Sequence, residues 1–148
     1  NGAHGIMLRP HFFREAASPQ FMTPLRTFRL TLEYDGSAFV GWQRQINGLS
    51  VQQALEDALS AQLGEPVSVL GSGRTDAGVH ALGQVASFTT SSTLPLRGIW
   101  YGTQTRLPAG LSILDVREVP PGFDARRDAR LRHYRFFLLC RDARPGPG

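Results

Sequence analysis

The sequence predicts an α+β fold in which an antiparallel sheet carries two helices on one of its faces. Three observations lead to this prediction. Apolar and polar residues alternate over residues 28–34, as in a half-buried strand. Apolar residues recur at helical spacing over residues 51–63. Strand-like and helix-like segments then follow one another in the order βαββαβ between Thr27 and Val119, which is the ferredoxin-like arrangement.

Local signals bound the first strand and the first helix. The strand over residues 27–34 ends at the turn-forming pair Asp35-Gly36. Ser50 begins the helix, and Gln53 stands three residues later, as in a capping box. Gly64 ends the helix because a glycine readily takes the left-handed conformation of a C-cap.

The remaining elements are predicted in the same way. They are a short strand, a longer strand, a helix that follows Pro95, a third strand, and an additional C-terminal strand outside the ferredoxin-like unit. They cover residues 67–70, 84–89, 96–105, 111–119 and 131–140, respectively.

The length of 148 residues fits one domain with a core of its own. Residues 1–25 mix Pro, Gly, Ser and His without periodicity, which predicts an N-terminal appendage or extension. The domain is expected over residues 26–140. Residues 141–148 are rich in Pro and Gly and are expected to form a loop.

The composition is that of a globular protein, with 41% hydrophobic and 19% charged residues. No apolar stretch is long enough to span a membrane, so we expect no membrane partner. Cys140 is the single cysteine, which excludes an intrachain disulfide and favours a reducing cytoplasm. The four histidines lack metal-ligand spacing, so no metal site is predicted.

Arginine supplies all sixteen basic residues, and the formal net charge is +4. Five arginines fall within ten positions near the C-terminus: Arg126, Arg127, Arg130, Arg132 and Arg135. Because arginine binds phosphate through a planar, bidentate fork, this cluster favours a nucleic-acid partner. A solvated charged strand balanced by Asp124 and Asp128 explains the cluster equally well.

The loop over residues 73–80 carries the most informative side chain of the chain. Asp76 stands among small residues, two positions after Arg74. In an extended segment the two side chains point the same way, and an arginine that close favours the ionised form of a carboxylate. The glycine spacing satisfies neither a dinucleotide fingerprint nor a phosphate-binding P-loop. The alternative is a tight turn with a solvated aspartate.

An ordered set of short stretches resembles the tRNA pseudouridine synthase A family. The run Gly-Arg-Thr-Asp-Ala-Gly-Val-His at residues 73–80 is the most specific of them. The others lie at residues 32–36, 41–45, 51–56, 107–108, 123–126 and 134–136.

The resemblance implies an enzyme that isomerises uridine to pseudouridine in the tRNA anticodon stem-loop, at positions 38, 39 and 40. Asp76 matches the catalytic aspartate of the family. Arg74 matches the arginine that helps to position it and occupies the space of the flipped base, and Tyr134 matches the tyrosine that packs on the target base. The family uses no metal or organic cofactor and acts as a homodimer that binds tRNA across both subunits.

Four arginines are candidates for RNA contact: Arg44, Arg126, Arg127 and Arg130. Trp42, beside Arg44, could touch RNA or serve as a packing anchor. Two positions depart from the family pattern, Gln104 in place of a usual asparagine and Asp124 in place of a common histidine.

A larger departure is length, because the family has a second, similar domain. Residues 141–148 are then expected to start an interdomain loop, and the chain alone is expected to lack half of the cleft.

A non-catalytic RNA-binding domain is the alternative function, because RNA-recognition motifs share the βαββαβ order. Their aromatic signature is not met at residues 35–42, where Asp35 and Ser37 stand in place of a basic and an aromatic residue. A small-molecule-binding domain would leave Asp76 and the arginine cluster unexplained.

Overall fold

The structure is a computed structural model that describes residues 23–138 and residue 140. Most of the predicted appendage and the whole predicted interdomain loop, residues 141–148, lie outside the described residues. The described elements follow the predicted order βαββαβ: β1 (Arg26–Tyr34), α1 (Val51–Leu63), β2 (Leu70–Gly71), β3 (Ala81–Thr90), α2 (Leu96–Gln104) and β4 (Leu111–Val119).

The four strands form one antiparallel sheet in the order β2-β3-β1-β4. The central strand β1 pairs with β3 on one side and with β4 on the other. This arrangement confirms the ferredoxin-like fold. It also explains why the alternation is clearest in β1, since every second side chain of that strand enters the core.

The core lies between the sheet and the two helices. Phe28 and Leu30 of β1 are fully buried, and the rings of Phe28 and Phe88 stack with centroids 5.3 Å apart. Helix α1 faces them with the predicted apolar stripe, of which Leu55 and Leu59 are completely buried. Burial of each such leucine stabilises the fold by about 1.5–3 kcal/mol.

The caps of α1 are those that the sequence predicts. The hydroxyl of Ser50 accepts a hydrogen bond from the backbone N–H of Gln53 at 3.0 Å. Gly64 closes the helix in the left-handed conformation, with φ of 70°. Both ends of α1 are therefore fixed by residues that stand next to the helix in the sequence.

Strand β2 is shorter than predicted and shifted toward the C-terminus. Val67 and Val69 are buried as expected, but their backbone N–H groups donate to side chains of α1, the hydroxyl of Ser60 and the carboxylate of Glu56. Only Leu70 and Gly71 pair with β3. The helix thus takes the hydrogen bonds that a longer strand would have used.

The prediction of an additional C-terminal strand over residues 131–140 is wrong for the described part of that segment. Residues 131–138 and 140 pair with no strand of the described sheet. The large apolar side chains that suggested a strand, Leu131, Phe136, Phe137 and Leu138, are 73–88% exposed. An apolar-rich segment forms a strand only where a sheet edge is available for its backbone hydrogen bonds.

The segment after β4 returns across the face of the sheet that carries no helix. Ser87 of β3 pairs with Arg29 of β1 and points to this face, opposite Phe28 and Phe88. The Ser87 hydroxyl accepts a hydrogen bond from the backbone N–H of Ala125 at 3.0 Å, and Ala125 is buried. This anchor leads the arginine-rich segment from β4 toward the β2 edge.

Candidate active site

The loop between β2 and β3 presents the Asp76 side chain to solvent while holding its backbone. An isolated antiparallel bridge pairs Asp76 with Gly41, and the backbone N–H of Trp42 donates to the carbonyl of Thr75 at 2.9 Å. Asp76 also starts a tight turn, because its carbonyl accepts from the N–H of Val79 at 3.2 Å. An exposed carboxylate on a fixed backbone can meet a ligand without a prior rearrangement of the loop.

Two glycines allow the loops to approach so closely. A Cβ on Gly41 would lie 2.8 Å from the carbonyl oxygen of Thr75, and the φ of Gly41 is +113°. A Cβ on Gly36 would collide with the backbone of Val79. Any side chain at either position would push the Asp76 loop away.

Tyr34 holds the Asp76 loop through a hydrogen bond between side chains. Its hydroxyl lies 2.8 Å from the hydroxyl of Thr75, and its side chain is 4% exposed. Burial raises the pKa of Tyr34, against the opposing effect of hydrogen bonds with Thr75 and Gln84, so the phenol is neutral at physiological pH. The sequence indicated only a core residue here, because the contact with Thr75 joins segments 41 positions apart.

His80 and Asp35 tie the far end of the loop. The Nδ1 atom of His80 accepts from the backbone N–H of Gly36 at 3.1 Å and lies 3.2 Å from a carboxylate oxygen of Asp35. The hydroxyl and the N–H of Ser37 hold the pKa of Asp35 below its ordinary value. The carbonyl of Gly36 in turn accepts from Gly78 at 3.2 Å.

The structure does not bring Arg74 into contact with Asp76. Both side chains are exposed, and none of the ion pairs among the described residues joins them. The expectation rested on spacing alone, which does not fix the directions of two exposed side chains in a loop. The Asp76 side chain is therefore open to solvent.

A cleft of about 370 Å³ opens next to this loop. Three arginines line it, together with amide and aromatic side chains: Arg74, Arg126, Arg132, Gln52, Trp42 and Tyr134. Asp76 is not among the lining residues, although Gly73 and Arg74 are, so the carboxylate lies beyond the end of the cleft. Such a lining suits a polyanion that carries flat, stacking groups.

Trp42 is a packing anchor that reaches the cleft only with its edge. It is 3% exposed, its ring lies 6.5 Å from that of Tyr34, and a Cβ on Gly71 would overlap it. The packing interpretation is therefore the one that the structure supports.

Tyr134 lies beside the loop that carries Asp76 and lines the cleft. Its side chain is 61% exposed, and its hydroxyl would be 3.4 Å from a Cβ placed on Gly73. The structure therefore brings Tyr134 against the loop that carries Asp76, from a segment 58 positions later in the chain.

The predicted RNA-binding arginines fall into two pairs. Arg44 forms ion pairs with Glu56 at 2.9 Å and Asp57 at 3.6 Å, and Arg127 pairs with Asp128 at 3.3 Å. Arg126 and Arg130 take part in none of the ion pairs found among the described side chains.

The two departures from the family pattern both have local structural roles. The side chain of Gln104 accepts from the backbone N–H of Ile113 at 2.8 Å, which joins α2 to β4. The carboxylate of Asp124 accepts from the N–H groups of Arg126 and Arg127 at 2.8 and 2.9 Å. Asp124 thus shapes the turn that presents the arginines.

Arg132 is the site residue that sequence reasoning did not select. It belongs to the predicted arginine cluster, but its distinctive feature is a contact with Ser72, 60 positions earlier. The available signal was its spacing from Tyr134, two positions later, which places both near one another in an extended segment.

Comparison with known sequences identifies the family. The sequence model of the tRNA pseudouridine synthase family matches residues 31–126, which include Asp76 and most of the sheet. The chain belongs to this family.

Several relatives are named tRNA pseudouridine synthase A. The protein from Citrifermentans bemidjiense is 48% identical over 120 residues, which are 81% of this chain and 48% of that protein. The proteins from Pelobacter propionicus and Sinorhizobium fredii are 53% and 50% identical, each over 77% of this chain and 47% of their own length.

The chain spans about half the length of the curated relatives that it matches. The family match ends at residue 126, before Arg132 and Tyr134. Neither helix in the described part of the chain has the length and apolar character needed to cross a bilayer.

Proposed function

We propose that this chain is the N-terminal catalytic part of a tRNA pseudouridine synthase that isomerises uridine in the anticodon stem-loop, at positions 38–40. One observation carries the proposal. In a chain of this family, an exposed carboxylate, Asp76, stands on a backbone held at both ends, beside a cleft lined by arginines.

The chemistry needs a group such as Asp76. The reaction breaks the bond between the ribose C1′ and uracil N1 and forms a bond from C1′ to C5 of the same uracil. The proton on C5 is lost and N1 gains one, so no atom, oxidant or reductant is consumed. An ionised carboxylate serves either as the attacking nucleophile or as the base that removes a proton from the sugar.

The target uridine must leave its stack to reach Asp76, which costs a few kcal/mol. We assign Tyr134 to stack on the extruded base, because its exposed ring lies beside Gly73. Such stacking returns about 1–3 kcal/mol. Arg74, exposed and without an ion pair to Asp76, is free to fill the space that the base leaves.

The tRNA backbone would meet the arginine segment. Arg126 lines the cleft and, like Arg130, is outside the ion pairs of the described residues, so either can bind phosphate without breaking an internal contact. Arg127 and Arg44 would first have to leave Asp128 and Glu56. We further propose a cytoplasmic homodimer in the full-length protein, with tRNA as partner and no metal or organic cofactor.

The decisive experiment maps pseudouridines at single-nucleotide resolution. This chain, and a version extended to the length of its relatives, are each incubated with an unmodified tRNA transcript. A transcript with cytidine at positions 38–40 is the matched control. We expect modification at those positions with the extended protein and none in the control.

Two results would contradict the proposal. Modification confined to other positions would refute the assigned site. Tight tRNA binding by the extended protein without any pseudouridine would favour the non-catalytic RNA-binding function.

A further inference from the structure

We propose that Arg132 is a positioning residue, which fixes Tyr134 against the loop that carries Asp76. The inference rests on the proposed function, because it assigns Arg132 a part in placing the stacking ring. Arg132 belongs to the arginine cluster but was not among the predicted site residues.

Arg132 is the hydrogen-bonded tie between the C-terminal segment and the loop. Its Nε atom donates to the carbonyl oxygen of Ser72 at 2.6 Å, and its Nη2 atom donates to the carbonyl oxygen of Arg126 at 3.2 Å. Among the described residues, these are the hydrogen bonds that residues 129–138 make, and all come from this one guanidinium. Without them, no hydrogen bond would hold the backbone around Tyr134.

Ser72, which accepts the hydrogen bond from Arg132, is itself held by the sheet. The N–H of Ser72 donates to the carbonyl of Val85 in β3 at 2.8 Å, and the Ser72 hydroxyl donates to the side chain of Gln84 at 2.9 Å. The amide of Gln84 donates to the carbonyl of Gly73 at 2.6 Å. Arg132 is therefore fastened to backbone that the sheet itself holds.

The side chains of Arg132 and Tyr134 both lie against Gly73. A Cβ at this position would lie 3.4 Å from the hydroxyl of Tyr134 and 3.5 Å from Cδ and Nε of Arg132. The bare backbone of Gly73 therefore faces the stem of Arg132 and the tip of Tyr134 together. Arg132 is hydrogen-bonded to Ser72, the residue just before Gly73, and therefore sets the distance between the ring of Tyr134 and the Asp76 loop.

The fork of an arginine suits this role. One planar guanidinium donates to two carbonyls, Ser72 and Arg126, in fixed directions. A lysine carries the same charge on a flexible stem and makes a less directional contact. A phosphate contact depends more on the positive charge, because counterion release supplies most of non-specific nucleic-acid binding and a lysine keeps that charge.

The test uses the protein extended to the length of its relatives and the variants Arg132→Ala and Arg132→Lys. Arg97→Ala removes the same charge from α2, away from the cleft, and is the control. We expect Arg132→Ala to lower the single-turnover rate at saturating tRNA by about 10- to 100-fold, as for a displaced catalytic group. The Kd for tRNA should change by less than about threefold, and Arg132→Lys should restore only part of the rate.

A second background separates positioning of Tyr134 from a general structural role. In the Tyr134→Ala protein, Arg132→Ala should cause little further loss of rate, because residues that act through one contact are not additive. Equal losses in both backgrounds would overturn the proposal. So would a raised Kd with an unchanged rate, or full rescue by Arg132→Lys, either of which would make Arg132 a phosphate contact.

A readout without catalysis keeps the inference apart from the proposed function. Fluorotyrosine is incorporated, and the ¹⁹F resonance of Tyr134 is assigned by its loss in Tyr134→Phe. In Arg132→Ala this resonance should move toward the value of a free, mobile side chain, while Arg97→Ala leaves it in place. An unmoved resonance would refute the positioning role, whether or not the wild-type protein is active. An inactive wild-type protein would refute only the proposed function.

Discussion

Tyr34 joins the core to the candidate active site. It ends the central strand, packs its ring against Phe39 and Trp42, and bonds through its hydroxyl to Thr75, one residue before Asp76. The Tyr34 side chain therefore contributes both to the packing of the core and to the position of the Asp76 loop.

Tyr34→Phe should destabilise the fold by about 0.5–1.5 kcal/mol, because the hydroxyl of Thr75 loses its partner while the ring still packs. Denaturant unfolding of the variant and the wild type measures the difference. Tyr101→Phe is the control, since Tyr101 is 55% exposed and its hydroxyl has no hydrogen bond among the described residues. Equal free energies of unfolding for the two variants would contradict a supporting role for the Tyr34 hydroxyl.

For single residues, the sequence predicted that Asp76 lies on an exposed loop but not the contacts around that loop. Asp76 lies on an exposed loop as predicted, because small residues and glycines mark such loops from sequence alone. The pairing of Arg74 with Asp76 was wrong as a contact, because spacing along the sequence does not fix the directions of two exposed side chains in a loop. Arg132 was missed, because its partner Ser72 is brought near only by the folded chain.

Among the elements, β1, α1 and β4 follow their local patterns, since each is bounded by caps or turns and half-buried by its own periodicity. Strand β2 could not be bounded from sequence, because side chains of α1 compete for its N–H groups. The segment over residues 131–138 could not be assigned either, because a strand depends on the partner that it finds.

Glu65 ties the segment after α1 to the end of β3. Its carboxylate accepts hydrogen bonds from the hydroxyls of Ser91 and Thr90 and from the N–H of Ser91. In the same order of importance, these bonds hold the pKa of Glu65 below its ordinary value of 4.5. The stabilisation is present above that value and is lost as the pH falls through the lower pKa of the folded state.

We therefore expect Glu65→Gln to reduce the free energy of unfolding at pH 7 and to approach the wild type at pH 3. Solvent screening keeps the difference modest, since Glu65 is only partly buried. Urea unfolding of both proteins at the two pH values measures it, with Glu33→Gln on the exposed side of β1 as the control. A gap that is constant with pH would contradict the assignment.

The arginine segment makes a prediction about salt. The association constant for tRNA should fall less steeply with salt in the double variant Arg126→Gln, Arg130→Gln. The slope of its logarithm against log salt should become less negative by about 0.7–0.9 for each phosphate that the protein no longer neutralises. The matched pair, Arg44→Gln with Arg127→Gln, should change the slope less, because those guanidinium groups are already neutralised by acidic neighbours. Equal slopes for the two double variants would contradict the division into free and paired arginines.

For the whole molecule, the unpaired C-terminal segment is the feature that the described fold leaves open. Four large apolar side chains from Leu131 to Leu138 are exposed, in a chain whose match covers about half the length of its relatives. We expect residues 131–138 to be protected from amide hydrogen exchange in the chain extended to that length and to exchange rapidly in the 148-residue chain. Equal protection in the two chains would show that the added sequence does not cover this segment.

We propose that the carboxylate of Asp76 performs the isomerisation. The most direct measurement is the single-turnover rate of pseudouridine formation by the extended protein and its Asp76→Asn variant, with the Kd for tRNA measured in parallel and Glu33→Gln as a matched loss of a carboxylate. We predict no detectable product with Asp76→Asn, a Kd within a few-fold of the wild type, and full activity for Glu33→Gln. Product formation by Asp76→Asn at the wild-type rate would contradict the account.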